Sequence, residues 1–164
     1  MKKILLVSDT HGYVDEVILR HAATADEVWH AGDIGTLSVI NEIEKIKPIR
    51  AVYGNIDGYE IRSAFKETEI FHCENLKVFI THIGGYPGAY AKGIKEKLLA
   101  QLPDIFICGH SHILKVSRDK AINNLLHLNP GAAGRHGFHK LRTMLKFSIE
   151  GKTINDLNVI EIEK

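Results

Sequence analysis

The sequence predicts an α/β protein with two sheets face to face and helices outside them. Up to about Pro103, short apolar runs end in Gly, Asp, Asn or His and lead into amphipathic segments. After Cys108, strand-like runs follow one another with no helical pattern between them. Alternation followed by consecutive strands is the pattern of a chain whose later strands build a second sheet. Size is the third observation: 164 residues, 45% apolar and 25% charged, suit one globular domain, 1–164, whose core needs no disulfides.

The elements follow in order. Ile4-Leu5-Leu6-Val7 is a continuous apolar run, as expected of a strand buried on both faces. Val14 to Ala23 carries Val14, Val17, Ile18 and His21 at helical spacing. Glu27 to His30 is a second strand, and Leu37 to Ile46 a second helix through Leu37, Ile40, Ile43 and Glu44. Ile49 to Tyr53, Lys77 to Ile80 and Ile105 to Cys108 are further strands, the last two bracketing a helix from Tyr90 to Leu102. Leu114 to Ser117, Leu125 to Leu128, Thr143 to Ile149 and Ile154 to Ile162 complete the series, with Glu150-Gly151-Lys152 as a hairpin turn.

Charge and cysteine content narrow the function. Lys plus Arg total 21 against 20 Asp plus Glu, a net charge of +1, which supports neither a stable nucleic-acid binder nor a membrane-surface protein. A phosphorylated substrate stays open, because bound metals supply local positive charge. Cys73 and Cys108 make no disulfide framework and no C-x-x-C pair. The apolar run at the start stops at Ser8-Asp9, short of the roughly 7–15 residues of a secretory signal. No run approaches the ~20 residues of a membrane span. A cytoplasmic protein is the expectation.

Ten histidines stand beside those carboxylates, and their placement carries the chemistry. The polar blocks that follow successive strands are Asp9-Thr10-His11, Gly32-Asp33, Gly54-Asn55, Thr81-His82 and Gly109-His110-Ser111-His112. Each gap between them fits one strand–helix–strand excursion or a comparable loop, so right-handed crossovers should gather all of them at the carboxyl edge of one sheet. A lone Gly-Asp or Gly-Asn is usually a turn; five blocks in order, each closing a strand, make a candidate metal site. The donors Asp9, His11, Asp33, Asn55, His82, His110 and His112 are all nitrogen or oxygen, which suits Mn, Fe, Co, Ni or Zn. Seven donors are too many for one tetrahedral zinc and fit two divalent ions that share a bridging carboxylate.

The series Asp9-x-His11, Gly32-Asp33, Gly54-Asn55, His82 and Gly109-His110-x-His112 resembles the calcineurin-like metallophosphoesterase superfamily. Ser8-Asp9-Thr10-His11-Gly12 and Asn129-Pro130-Gly131 narrow the resemblance to its small, single-domain phosphodiesterase branch of bacteria and archaea. The resemblance implies a four-layer α/β/β/α sandwich of two facing mixed sheets with a dinuclear metal site at one edge. It implies Asp9, His11, Asp33 and His112 on one ion, and Asp33, Asn55, His82 and His110 on the other, with Asp33 as the bridge. Asp33, Asn55 and His82 are then the catalytic residues, and two divalent ions, Mn²⁺ first among them, activate a bridging hydroxide against a small or activated phosphate ester. The alternatives are a phosphomonoesterase or nucleotidase, and a metal-binding interaction scaffold, since the same fold serves as a scaffold in a subunit of the retromer coat. Small members of the family also assemble as homodimers or homotetramers.

One departure stands out. Many members have Gly-Asn-His-Asp or Gly-Asn-His-Glu where this chain has Gly54-Asn55-Ile56-Asp57. Isoleucine can neither stabilise a phosphate nor protonate a leaving group, so poor leaving groups should be cleaved slowly. His30 reads equally as a brace for a ligand or a packed strand residue, and Arg135 or His136 equally as a phosphate contact or a solvated turn. Ile83 to Tyr90 reads as an ordinary flexible connection more than as a mobile substrate-side loop, and His21, His72, His127 and His139 as structural or surface residues. Cys108 reads as core, and Lys92, Lys95 and Lys97 as the solvated face of a helix.

Overall fold

A computed structural model describes residues 1–164. In chain order the elements are β1 (Lys2–Val7), α1 (Glu16–Ala23), β2 (Glu27–His30), α2 (Leu37–Glu44), β3 (Ile49–Ala51) and α3 (Tyr59–Ala64). They continue with β4 (Thr68–Cys73), β5 (Leu76–Thr81), β6 (Gly85–Tyr86), β7 (Ala89–Tyr90), α4 (Ile94–Gln101) and β8 (Ile105–Ile107). The chain ends with β9 (Leu114–Asp119), β10 (Leu125–Pro130), β11 (Leu141–Glu150) and β12 (Thr153–Glu163).

Two five-stranded mixed sheets form, in the orders β12-β11-β1-β2-β3 and β4-β5-β8-β10-β9. Strands β1, β2 and β3 run parallel in the first, and β5, β8 and β10 in the second. The period-two geometry of a strand then sorts side chains between layers. Ile4 and Leu6 of β1 point between the sheets, where they meet Val78, Ile80, Ile105 and Leu128. Leu5 and Val7 point the other way, onto Ile18, Ile40, Ile43 and Ile61 of the first three helices. On the far side, Ile94 and Leu98 of α4 cover Phe79, Phe106 and Leu125. The layers are therefore helix, sheet, sheet, helix, as the resemblance implies.

The division of strands between sheets departs from the sequence expectation. Strands β11 and β12 do not join the second sheet; β11 lies antiparallel to β1 and completes the first. A central strand needs a partner on both sides for its N–H and C=O groups. β11 meets that need for β1 and is itself buried on both faces along most of its length. Adjacent strand signals show that β11 and β12 pair with each other, while the third partner is set by contacts far apart in sequence. Strand β4 and helix α3 have no clear pattern in the sequence, and the helix expected from Tyr90 begins at Ile94. Tyr90 instead pairs with Gly85 in the β6–β7 hairpin, so the Ile83–Tyr90 connection is partly ordered. No helix is long and apolar enough to cross a membrane.

Arg142 fastens the C-terminal hairpin to the start of the fold. Its guanidinium is buried and donates to the Ala133 carbonyl at 2.7 Å and to Asp15 Oδ2 at 2.8 Å. Asp15 is also the N-cap of α1, accepting from the Ile18 N–H at 3.0 Å. Burial works to raise the Asp15 carboxyl, but Arg142, the Ile18 N–H and the Tyr13 hydroxyl outweigh it and hold its pKa below the usual carboxylate range. Asp15→Asn keeps a good cap and removes the charge, so it isolates the ion pair. We expect it to lower stability by about 2 kcal/mol near neutral pH. The deficit should shrink as acid protonates Asp15 in the wild type, which urea unfolding at neutral pH and in acid below the usual carboxylate range would read.

Candidate metal centre

Each ligand-type block sits just past the carboxyl end of a parallel strand: Asp9 after β1, Asp33 after β2, Asn55 after β3, His82 after β5 and His110 after β8. The expected convergence occurs, but at the edges of both sheets and not of one. Backbone bonds stitch the two edges together, with the Gly109 N–H donating to the His82 carbonyl at 2.9 Å and the Ala133 N–H to the Ser8 carbonyl at 2.9 Å.

All seven candidate residues come together. Asp9, His11 and His112 form one cluster of donor atoms, and Asp33, His82 and His110 a second, each within 4.8 Å. Asp9 Oδ1 lies 3.2 Å from His112 Nε2, 3.8 Å from His82 Nε2 and 3.9 Å from His11 Nε2. Asp33 Oδ2 lies between the clusters, 3.2 Å from His82 Nε2 and 3.6 Å from His11 Nε2. At the rim the His110 Nδ1–H donates to Asn55 Oδ1 at 3.0 Å.

Three of these atoms, Asp9 Oδ1, His11 Nε2 and His82 Nε2, are buried without a hydrogen-bond partner. Buried polar atoms are almost always satisfied, so three orphans aimed at one space call for a ligand. The rest of each side chain is fixed. Asp9 Oδ2 accepts from Ser8 Oγ at 2.7 Å and the His110 N–H at 3.1 Å, and Asp33 Oδ1 accepts from the Ile56 N–H at 3.0 Å. His82 Nδ1 is 2.7 Å from the Ala31 carbonyl, which can only accept; the ring proton therefore sits on Nδ1, and neutral His82 presents a free lone pair at Nε2. Nitrogen and oxygen donors with their other atoms already engaged fit divalent transition ions.

Electrostatics point the same way. Burial works against charge on His82, but Asp33 and Asp9 outweigh it and hold its pKa above the usual histidine value. Burial likewise works to raise Asp33, and His82 outweighs it, so that carboxyl is held low. Two buried carboxylates thus demand cations around them. Five of the seven residues, Asp9, His11, Asp33, His110 and His112, sit on left-handed backbone with φ between 47° and 69°. Such conformations are costly for non-glycine residues and cluster at functional sites.

Several bracing residues escaped the sequence reading. Asp57 is buried and accepts from the N–H groups of Ile34, Gly35 and Gly54, at 3.1, 2.7 and 2.7 Å, tying the Asp33 loop to the Asn55 loop. Its signal was present as the last residue of Gly54-Asn55-Ile56-Asp57. A Cβ at Gly54 would overlap Asp33 itself, which explains the glycine. Asn129 donates to the Gly109 carbonyl at 3.0 Å and to Ser111 Oγ at 3.1 Å, giving the Asn129-Pro130-Gly131 segment a role in holding the two-histidine loop.

His30 proves to be both a packed strand residue and a brace. Thr10 Oγ1 donates to the Ile34 carbonyl, so His30 Nε2 donates to Thr10 Oγ1 at 2.9 Å while Nδ1 accepts from the Gly32 N–H at 3.1 Å. His136 and His139 line the same cleft as the ligands, with the His136 ring centroid 4.7 Å from that of His11 and the His139 centroid 5.3 Å from that of His112. His139 has a structural part as well, its Nε2 lying 2.9 Å from the Gly134 carbonyl. Arg135 turns away, its guanidinium over the Tyr13 ring at 4.7 Å.

Residues 1–152 match the family model of the calcineurin-like phosphoesterase superfamily domain. The chain belongs to that superfamily. A probable metallophosphoesterase of Mycoplasma pneumoniae is 26% identical over 163 residues, covering 96% of both chains. One from Methanothermobacter thermautotrophicus is 26% identical over 133 residues, 77% of this chain and 74% of its own. Among solved structures, zinc-complexed Vps29 of Entamoeba histolytica superposes with a TM-score of 0.74 at 18% identity, covering 98% of each chain. A Streptococcus pneumoniae protein described as a predicted phosphoesterase gives a TM-score of 0.70 at 19% identity over 99% of this chain and 98% of its own. These structural likenesses establish the shared fold. Membership makes metal-dependent phosphoester chemistry the class to which the site belongs.

Burial holds the His30 pKa down to about 4, and that of His127 to about 4 as well. In the unfolded chain both take up a proton near 6.5, so their contribution is complete above that pH and is lost as pH falls toward 4. We expect stability to drop by up to about 3 kcal/mol for His30 over this window. Urea midpoints across the window check it, and a flat profile would contradict it.

Proposed function

We propose that this chain is a two-metal phosphodiesterase acting on a small or activated phosphate ester, with Asp33 shared between the ions. Asp9, His11 and His112 complete one site; Asn55, His82 and His110 complete the other. The observation that carries this reading is the trio of buried, unpartnered donor atoms on Asp9, His11 and His82. His11 lines an open cleft of about 590 Å³ together with Asp33, Asn55, His110 and His112. Mn²⁺ is the ion we favour, with Fe, Co, Ni and Zn suited to the same donors. Buried, unpaired Cys73 and Cys108 accord with a cytoplasmic setting.

Bound divalent ions lower the pKa of coordinated water and neutralise charge that develops on the phosphoryl oxygens. The protein's own groups do the rest. Asn55 engages His110 through Oδ1, which leaves its Nδ2 hydrogens free to donate to a phosphate oxygen. Asp33 and His82 are held by backbone partners, so the donor frame is set before substrate arrives. Ile56 stands half-exposed on the cleft wall and can donate no proton to a departing alkoxide.

Hydrolysis of bis- and mono-(p-nitrophenyl) phosphate, with Mn²⁺ and with chelator, tests the reading. Chelator-sensitive cleavage that favours the diester is expected. A monoester preference would replace diesterase with phosphomonoesterase, and cleavage of neither under any metal would favour the metal-bearing scaffold. Asp33→Asn should reduce turnover at least about 100-fold while the protein stays folded by circular dichroism. Ile56→His should quicken esters with poor leaving groups more than activated ones; equal effects across leaving groups would refute the role given to this position.

A further inference from the structure

The reaction centre has two unlike ends. On one side, the cleft over the metal ligands is rimmed by Ile56, Ile113 and Phe138, of which Ile113 is 67% exposed and Phe138 wholly exposed. On the other side of Asn55 a second cleft, of about 370 Å³, is lined by His82 and by Arg62, Lys92 and Lys97. Asn55 lines both clefts and forms the wall between them.

The charge in this second cleft is unbalanced. Arg62 is spent on structure, donating to the Asp57, Gly54 and Asn55 carbonyls, but it still brings its positive charge to Asn55. Lys92 and Lys97 form no ion pair with any carboxylate, whereas Lys2, Lys45, Arg50 and Arg142 do. Glu67 is the one carboxylate lining the cleft. Of the three lysines read from sequence as a solvated face, all are exposed; Lys97 on α4 and Lys92 just before it line the second cleft with Asn55 and His82, and Lys95 does not. In a chain whose charges sum to only +1, a local excess beside a phosphoester site is a feature with a use.

Resting on the phosphodiesterase reading, we propose that the natural substrate carries a second anionic group. Lys92 and Lys97 hold that group, of phosphate type, in the cleft beyond Asn55, while an aromatic or apolar arm of the ester lies against Ile113 and Phe138. An exposed phenyl ring offers a stacking face for a planar group. Ammonium groups on flexible stems suit a phosphate whose position varies, acting as point charges and not as a bidentate fork. The substrate class is thus a small diester with one planar arm and one phosphorylated arm.

The test is calorimetric titration of the full chain, with Mn²⁺ and without metal, using thymidine 5′-phosphate and thymidine 3′,5′-bisphosphate. The bisphosphate should bind roughly tenfold more tightly. That advantage should fall below about twofold in the Lys92→Ala/Lys97→Ala double variant and should weaken with added salt. Equal affinity for the two nucleotides, or an advantage unchanged in the double variant, would overturn the proposal. Thermal unfolding of the variant confirms that it is folded. The p-nitrophenyl 5′-esters of the same nucleotides give the kinetic counterpart: a lower KM for the phosphorylated ester, at similar kcat, is expected in the wild type alone. Turnover of neither ester would remove the diesterase reading, while the binding comparison would still decide the anion site.

Discussion

Two carboxylates buried at the meeting edge of two sheets set the terms for this structure. Asp9 is fully buried and Asp33 nearly so, and their oxygens approach the same two imidazoles, His11 and His82. Uncompensated charge in such a place is among the most expensive things a fold can hold. The surroundings are built to make it tolerable. One oxygen of each carboxylate is hydrogen-bonded by neighbours, and the other faces nitrogen donors across a gap. Both the ordered backbone around these groups and their capacity to hold cations follow from that division of each carboxylate into a braced half and an open half.

Holding the groups in place also demands unusual backbone. Left-handed residues at Asp9, His11, Asp33, His110 and His112 turn the chain sharply just as each strand ends. Each such residue costs on the order of 1–3 kcal/mol and persists only where the surroundings over-determine it. Asp57, Asn129 and His30 are that over-determination: each bonds the backbone of a ligand-bearing loop, and none touches the cleft. The tautomer of His30 is dictated by Thr10 on one side and Gly32 on the other, so a single neutral ring keeps two ligand loops in register.

The candidate donor set was legible in the sequence because its signal is local. Strand ends announce themselves by the switch from apolar to polar residues, and the donors follow within one to five positions. Their convergence followed from strand–helix–strand connectivity, but the assignment of all five blocks to a single sheet did not survive. Local pattern carries no record of where the chain leaves one sheet for the other. The place of β11 beside β1 was hidden for the same reason, since the pairing joins Ile4 to Phe147. Braces such as Asp57 and Asn129 were invisible as braces because an aspartate in a turn and an asparagine before proline look like ordinary loop chemistry. Only contact with distant N–H and C=O groups distinguishes them.

Strain, buried charge and orphaned donors at one edge have a joint consequence for stability. A fold that spends free energy on preparing a site is stabilised by whatever fills it, in proportion to the ratio of ligand concentration to dissociation constant. Cations meeting Asp9 Oδ1, His11 Nε2 and His82 Nε2 would satisfy three buried atoms and neutralise two buried charges at once. The cross-sheet bonds from Gly109 to His82 and from Ala133 to Ser8 then transmit that gain to both sheets. A filled site would in this sense fasten the two halves of the sandwich. The interior between the sheets is sealed by apolar contacts along its length; at the carboxyl edge buried carboxylates and imidazoles stand in their place, and cations held there would take over the same task.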